Sequence, residues 1–255
     1  TPAEVRRLQR RPDGSRRIVL AYMSIGEAED YRFYWSKDWL ESAEAASDAP
    51  AAAPPQPPRS HRTESDANPP TERWLTASAP PWLHAENEQW SGNFLVHFWD
   101  RAWQNVIFGK PASYLARIMD AGFDGVYLDR VDAYYEFQDE RPQAGAEMVD
   151  FVVRLSAFAK SARPGFLVVA QNGEELLVNS AYLAAIDAIA KEDLLFGSPD
   201  EGAPNSPAQI TNSLTWLGSA SRAGRRVLVV EYLDDTQLIA EASAELERLG
   251  FVGYF

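Results

Sequence analysis

The chain of 255 residues contains no cysteine and only three histidines. The lack of cysteine excludes disulfide bonds, zinc–thiolate sites and a cysteine nucleophile. The histidines form no H-x-H or H-E-x-x-H motif, so the sequence does not predict a histidine-based metallohydrolase. The G-x-S-x-G elbow of many serine hydrolases is absent too, which leaves that class poorly supported.

Long apolar runs are also missing. No stretch approaches the about 20 apolar residues that a membrane-spanning helix requires, and no secretory signal is visible. The opening TPAEVRRLQRRPDG reads like the interior of a longer chain, so we expect an export signal or a strand upstream of it.

Basic residues are outnumbered, because 24 Lys and Arg face 37 Asp and Glu and give a formal net charge of −13. Binding to nucleic acid requires clustered Lys and Arg, so nucleic acid is not expected as a partner. An acidic surface favours cationic or neutral partners, although general solubility explains the same charge.

Seven segments are rich in β-branched and aromatic residues and are bounded by Gly, Asn or Asp, which is typical of strands. They cover residues 17–26, 93–100, 123–129, 165–173, 186–192, 226–233 and 250–255. Most are continuously apolar, as expected of parallel strands with both faces buried. Amphipathic segments between them predict helices at residues 111–122, 146–160, 207–224 and 235–250.

Alternating strands and helices predict an α/β fold of right-handed βαβ units. About seven strands favour a (β/α)₈ TIM-type barrel whose first strand is missing or truncated at the N-terminus. A doubly wound open sheet is the alternative, but its glycine-rich phosphate turn is absent. Residues 41–79 are rich in Pro and Ala and lack apolar periodicity, so we expect a flexible, disordered insertion within a single domain spanning residues 1–255.

The predicted strand at residues 123–129 ends in a carboxylate. Because side chains on a strand alternate between faces, Asp129 shares a face with Tyr127, opposite Val126 and Leu128. This parity places Asp129 inside the predicted barrel at the carboxyl end of a strand, where barrel enzymes hold their active sites. An aspartate that only caps the following helix or turn is the alternative.

Polar side chains lie at or near the ends of other predicted strands. Glu192 and Glu231 do so in the segments 186–192 and 226–233, and Asn172 does so at the end of 165–173. Further acids follow two of the predicted strands: Glu27, Glu29, Asp30 and Glu174. Because the carboxyl ends of barrel strands meet at one mouth, these residues predict an acidic cleft.

Paired carboxylates with aromatic platforms are the chemistry of glycoside hydrolysis. One carboxyl protonates the leaving oxygen, and the other attacks the anomeric carbon or activates water. Several aromatic side chains could stack on sugar faces or fill the core: Tyr22, Trp35, Trp82, Trp90, Trp99, Tyr127, Tyr134, Tyr135 and Tyr232.

Two other chemistries remain open from these residues. Asp129, Asp132 and Glu192 supply oxygen ligands that suit Mg²⁺ in a metal-dependent hydrolase. Lys191 suits a Schiff-base aldolase, which uses a desolvated lysine on a barrel strand. Its parity is opposite to that of Glu192, so if Glu192 points into the barrel, Lys191 points toward the helices or bends into the loop.

Three blocks of sequence resemble glycoside hydrolase family 114, the endo-α-1,4-polygalactosaminidases. They are residues 21–35 with GEAEDYR, residues 80–100, and residues 122–135 with DGVYLD. The resemblance implies a (β/α)₈ barrel that is exported, extracellular or periplasmic, and that cleaves α-1,4-linked galactosamine polymers.

By position, the resemblance implies that Asp129 is the nucleophile or base and that Glu192 is the proton donor. Arg130 follows Asp129 where the characterised branch has asparagine, and KEDLLFG stands in place of that branch's Asn-Glu sequence. These departures bear on the identity of the substrate rather than on the pair of carboxylates.

The sequence therefore predicts a monomeric, secreted endo-glycosidase that acts on a cationic amino-sugar polysaccharide without a cofactor or metal. A non-catalytic polysaccharide-binding barrel in a cell-surface assembly is the alternative. Asp129 and Glu192 are the predicted catalytic residues. The predicted substrate-binding residues are Tyr22, Glu27, Asp30, Trp99, Tyr127, Asp132, Asn172, Glu174, Glu231 and Tyr232.

Overall fold

The computed structural model describes residues 1–42, 73–200 and 202–255. Its helices are α1 Pro2–Leu8, α2 Arg101–Ile107, α3 Tyr114–Ala121, α4 Ala144–Ala162, α5 Ser180–Ala185, α6 Pro207–Arg222 and α7 Thr236–Leu249. Its strands are β1 Leu20–Ser24, β2 Glu27–Glu29, β3 Leu40–Ser42, β4 Arg73–Leu75, β5 Leu83–Glu86, β6 Asn93–Val96, β7 Gly125–Asp129, β8 Leu167–Gln171, β9 Ala188–Glu192, β10 Arg226–Val230 and β11 Val252–Tyr254. In the described part of the chain, no helix has the length and apolar character needed to cross a membrane.

The chain divides into two compact units. The first comprises residues 1–26 and 98–255, and the second comprises residues 27–97. That residues 1–255 form a single domain stays a prediction.

The first unit is built on a six-stranded parallel sheet with the order β1-β7-β8-β9-β10-β11. Six of the seven predicted strands lie in this sheet, and helices α3, α4, α6 and α7 occupy the four predicted helical segments. The strand–helix alternation therefore confirms the predicted α/β class.

Local sequence signals set the ends of these helices. Ser206 and Gln209 form a capping box at the start of α6, with Pro207 in the first turn. At the end of α7, Gly250 adopts a φ of 73°, a left-handed conformation that glycine reaches without steric cost. These caps allow the short connections that return each helix to the sheet.

The two faces of the parallel sheet differ in character. One face carries Met23, Val126, Leu128, Val168 and Val229, which are buried as expected beneath covering helices. The other face carries a small apolar cluster formed by Val169, Ala188 and Ala190, against which Leu20, Tyr127 and Leu228 pack. Asp129 and Glu192 lie on this second face, which we call the inner face.

The second unit contains two antiparallel sheets, one with the order β2-β6-β5 and one formed by β3 and β4. The prediction that residues 93–100 form a strand of the parallel sheet is therefore wrong, because β6 pairs antiparallel with both neighbours. The burial pattern explains the error. Phe94 and Val96 are buried while Asn93 and Leu95 are only partly so, as in an antiparallel strand with two unlike faces.

Strands also occupy the ends of the predicted insertion at residues 41–79. Leu40–Ser42 pairs antiparallel with Arg73–Leu75, so the absence of regular structure predicted there is wrong at both ends. Trp74 and Leu75 supply the aromatic and apolar side chains that favour a short strand after the Pro-rich stretch. The central part of the predicted insertion, residues 43–72, lies outside the described residues.

Candidate active site

The strand register brings two carboxylates to one face and one end of the sheet. Tyr127 pairs with Val169, and Val169 pairs with Ala188, so these positions share the inner face. Asp129 lies two residues beyond Tyr127 and Glu192 four beyond Ala188, which keeps both on that face. One strand separates β7 from β9, so their backbones lie roughly 10 Å apart at the usual strand spacing.

Asp129 ends β7 and receives two hydrogen bonds. The hydroxyl of Tyr22, on the neighbouring strand β1, donates to Oδ2. The backbone N–H of Arg130 donates to Oδ1 at 2.7 Å. Both oxygens are therefore held, and the carboxyl has a fixed orientation at the strand end.

Glu192 ends β9 and is held from both sides. Tyr232, just beyond β10, donates its hydroxyl to Oε1. Asn172, directly after β8, donates its side-chain amide to Oε2 at 3.2 Å. The Oδ1 atom of Asn172 also accepts the backbone N–H of Glu192 at 3.1 Å, so one asparagine fixes both the main chain and the carboxylate.

The two carboxylates interact electrostatically. Burial raises the pKa of Asp129, the hydrogen bond from Tyr22 lowers it in part, and the negative charge of Glu192 raises it further. Tyr127 lies on the same face, and burial followed by the charges of Glu192 and Asp129 raises the pKa of its phenol. Tyr127 therefore remains a neutral hydroxyl within the field of both acids.

Three consecutive strands are followed by a non-glycine residue in the left-handed conformation. Arg130 follows β7 with φ 57°, Asn172 follows β8 with φ 56°, and Asp193 follows β9 with φ 52°. This conformation costs most L-residues about 1–2 kcal/mol, and Gly, Asn and Asp adopt it more readily than the others. Such backbone outliers cluster at functional sites, and here each one turns the chain away immediately after a strand end.

Comparison with known families identifies the chain. The model of glycoside-hydrolase family GH114 matches residues 60–255. The chain belongs to glycoside-hydrolase family GH114. The family bears the name of the enzyme class that the paired carboxylates predict.

Curated relatives of this GH114 chain occur in distant microbes. Uncharacterized proteins are 32% identical over 93% of the chain in Deinococcus radiodurans, 29% over 86% in Thermotoga maritima and 31% over 86% in Methanocaldococcus jannaschii. The chain spans 63%, 56% and 53% of the length of these three relatives.

Solved structures of two other proteins share the fold. The glycoside hydrolase domain of PelA from Pseudomonas aeruginosa aligns over 99% of the chain and 81% of that domain, with 17% identity and a TM-score of 0.60. Aspergillus fumigatus Ega3, crystallised in complex with galactosamine, aligns over 95% of the chain and 73% of its own, with 15% identity and a TM-score of 0.55. Both are barrel domains, so the likeness confirms the predicted TIM-type fold class.

Asp132 follows β7 and Glu174 follows β8, but their surroundings differ. Asp132 lies 3.7 Å from the guanidinium of Arg130, and its pKa is raised by burial, opposed by Arg130 and raised further by Asp129. Glu174 is buried, accepts a hydrogen bond from Ser213 at 2.7 Å and lies 3.4 Å from Lys191. The contacts of Glu174 are therefore internal, and its role as a substrate-binding residue stays a prediction.

Lys191 occupies the side of β9 that its parity predicts. It alternates with Ala190 and Glu192 and pairs with Glu174 instead of lying beside the carboxylate of Glu192. The Schiff-base alternative receives no geometric support from this placement, because the amine lies beside the buried carboxylate of Glu174.

Glu231 is fully buried and anchors the loop that follows β9. Its carboxylate accepts the backbone N–H groups of Leu195 at 2.8 Å and Phe196 at 3.2 Å. Burial raises its pKa to about 7, although these hydrogen bonds oppose the shift. The sequence did not reveal this anchoring contact, because the donors lie more than thirty residues away.

Trp99 belongs to the first unit and packs by its edge against Phe137, with ring centroids 4.9 Å apart. The guanidinium of Arg141 lies over its ring at 4.4 Å, a cation–π contact. Trp99 is thus a packed, half-buried side chain, and its contact with substrate stays a prediction.

Glu27 and Asp30 belong to the second unit. Glu27 is buried and accepts a hydrogen bond from Asn87 at 2.8 Å. Asp30 accepts one from Arg73 at 3.2 Å, and burial raises its pKa while Arg73 opposes the shift. Their substrate-binding roles also stay predictions.

Metal ligation was one alternative for the carboxylates at the strand ends. Among residues 1–42, 73–200 and 202–255, no group of three His, Asp or Glu side chains is arranged to hold a metal ion.

Proposed function

We propose that this GH114 chain is an endo-acting hydrolase that cleaves α-1,4-linked galactosamine polymers with Asp129 and Glu192. One observation carries the proposal. The two carboxylates share the inner face at the carboxyl ends of β7 and β9, and each accepts a hydrogen bond from a tyrosine. Two carboxyls that flank a glycosidic bond are what hydrolysis requires.

In the proposed mechanism the two carboxyls act together on one glycosidic bond. Glu192 donates a proton to the leaving glycosidic oxygen, while Asp129 attacks the anomeric carbon or removes a proton from the attacking water. Tyr22 and Tyr232 each hold one carboxyl in place through their hydroxyls. Asn172 fixes the backbone of Glu192, so the proton donor keeps its position during turnover.

The amino-sugar substrate is proposed from charge and from the structural relatives. A net charge of −13 suits a polymer of free amines, which is polycationic. Ega3, which shares the fold, was crystallised with galactosamine. We also propose that the protein acts in the extracellular space or periplasm, as the family resemblance implies, and that it acts as a monomer.

Defined oligomers test the activity. We expect wild-type protein to cleave α-1,4-galactosamine oligomers at internal bonds, with shorter products resolved by mass spectrometry, and to cleave fully N-acetylated oligomers less well. Asp129→Asn and Glu192→Gln should each lower kcat by at least about a hundredfold, because each removes a reacting group.

Two exposed acids provide matched controls. Asp120→Asn on α3 and Glu247→Gln on α7 remove the same charge from exposed helix positions, away from the carboxyl ends of β7 and β9. Both variants should keep wild-type turnover. Oligomers that are bound but never cut would instead favour a non-catalytic polysaccharide-binding barrel. Near-wild-type turnover in either Asp129→Asn or Glu192→Gln would remove that residue from the mechanism.

A further inference from the structure

We propose that a small arginine-lined cavity in the first seventeen residues binds a phosphate-type oxyanion. The cavity has a volume of about 260 Å³ and is lined by Arg6, Gln9, Arg10, Gly14, Ser15 and Arg16. Nothing in the glycosidase chemistry uses these residues, so the proposal is independent of the reaction at Asp129 and Glu192.

The charge of this segment opposes that of the rest of the chain. Residues 1–17 hold six arginines against two acids, a net of +4 in a chain whose net charge is −13. Clustered like charges repel one another and raise the free energy of the folded state. A bound anion would relieve that repulsion.

The backbone holds the arginines in a defined turn. The N–H of Arg11 donates to the carbonyl of Ser15 at 2.9 Å, and that of Gly14 donates to the carbonyl of Arg11 at 3.0 Å. Arg10 and Arg16 pair as an antiparallel bridge. The sequence RPDGS suits such a turn, since Pro presets φ and Gly14 adopts a φ of 83°.

Asp124, directly before β7, holds this turn against the parallel sheet of the first unit. Its carboxylate accepts the guanidinium of Arg16, the amide of Gln9 at 3.1 Å and the backbone N–H of Val19 at 2.8 Å. Although burial opposes the shift, these hydrogen bonds lower the pKa of Asp124, so it remains ionised. The wall of the cavity is thus anchored on the segment that leads into β7.

Two of the three arginines keep their charge uncompensated. Within the part of the chain that the structure describes, the guanidiniums of Arg6 and Arg10 have neither a carboxylate partner nor a side-chain hydrogen bond, whereas Arg16 has Asp124. The guanidinium fork binds phosphate in a bidentate manner.

The cavity, at about 260 Å³, is smaller than the about 300–1,000 Å³ of pockets for drug-sized ligands, so a small anion fits it. Asp124 precedes β7 and Asp129 ends it, so the site lies roughly 16 Å along the strand from the catalytic carboxyl. Binding there should leave the hydrolytic site accessible.

Titration calorimetry with sodium phosphate at low ionic strength tests the site. We expect wild-type protein to bind phosphate and the double variant R6Q/R10Q to bind it at least about tenfold more weakly. The double variant R7Q/R11Q removes the same charge from the same segment but spares the cavity lining, so its affinity should stay within about twofold of wild type.

Three results would overturn the proposal: no phosphate binding by wild-type protein, unchanged binding by R6Q/R10Q, or equal losses in both double variants. Thermal unfolding checks that the variants are folded, and R10Q alone replaces the double variant if that one is not.

Sedimentation with phosphatidylglycerol vesicles distinguishes the source of the phosphate. Pelleting of wild-type protein but not of R6Q/R10Q identifies a lipid headgroup, and phosphate binding without pelleting identifies free phosphate.

Discussion

At the scale of single residues, the candidate site depends on phenols that donate to carboxylates. Burial raises the pKa of Asp129, and the hydrogen bond from Tyr22 opposes that rise. Tyr232 donates its hydroxyl to the carboxylate of Glu192. Burial raises the pKa of Tyr232, and its hydrogen bond to Glu192 raises it further. Tyr232 therefore remains a protonated donor at neutral pH.

Replacing Tyr22 with phenylalanine should move the pH profile. The hydrogen bond from Tyr22 lowers the pKa of Asp129, so its loss in Tyr22→Phe should raise that pKa. Because Asp129 acts in its ionised form in the proposed mechanism, the acidic limb of kcat/KM should shift to higher pH. A limb that stays in place or moves to lower pH would contradict the role assigned to Tyr22.

Asn172 is expected to act through Glu192 without reacting itself. Asn172→Ala removes both hydrogen bonds to Glu192 and places alanine at a φ of 56°, which costs about 1–2 kcal/mol of stability. Asn172→Gly removes the same side chain without that strain. Both variants should lose at least about tenfold in kcat with little change in KM, and the alanine variant should be less stable than the glycine variant by about 1–2 kcal/mol. Wild-type kcat in Asn172→Gly would show that the contact is only structural.

Side-chain parity along a strand was predictable, but contact partners were not. Alternation alone indicates that Asp129 and Tyr127 share a face and that Lys191 and Glu192 do not. The internal contacts of Glu174 with Ser213, and of Glu231 with backbone N–H groups, join segments that are more than thirty residues apart. No local pattern records such pairs.

At the scale of elements, the turns that follow the strands position the candidate catalytic side chains. The left-handed residues Arg130, Asn172 and Asp193 directly follow three neighbouring strands, and the carboxylate of Glu231 holds the loop that continues from β9. A buried carboxyl with a raised pKa makes this anchoring sensitive to pH.

The free energy of unfolding should report the titration of Glu231. Its pKa is about 7 in the folded protein against 4.5 ordinarily, so the folded state binds more protons between these values. The contribution of Glu231 to the free energy of unfolding is fully present below pH 4.5 and is lost as the pH rises through 7. The loss is at most about 3 kcal/mol. Urea unfolding from pH 4 to 8 should show this decline in wild-type protein and a flatter curve in Glu231→Gln. Parallel curves would contradict it, and exposed Glu247→Gln serves as the control.

At the scale of the whole molecule, charge is the property that bears on substrate. The chain is strongly acidic, whereas its first seventeen residues are basic. An acidic protein attracts a polycation at long range, and salt screens that attraction over about 10 Å at 0.1 M.

The KM for a galactosamine polymer should therefore rise with ionic strength. We expect an increase of several-fold between about 20 and 300 mM salt, with kcat nearly constant, because salt weakens encounter but not the chemical step. An N-acetylated polymer lacks the charge and serves as the comparison. Equal salt dependence for both polymers would exclude electrostatic steering.

The amino-acid sequence was sufficient to predict the α/β class, six strands of the parallel sheet, four of the helices and the shared face of Asp129 and Tyr127. These follow from periodicity and from caps, which are local properties of the chain. The antiparallel pairing of β6 and the convergence of Asn172 and Tyr232 on Glu192 became visible only in the folded chain. Strand partners and hydrogen bonds between distant segments depend on how the elements pack, and packing is a property of the whole fold.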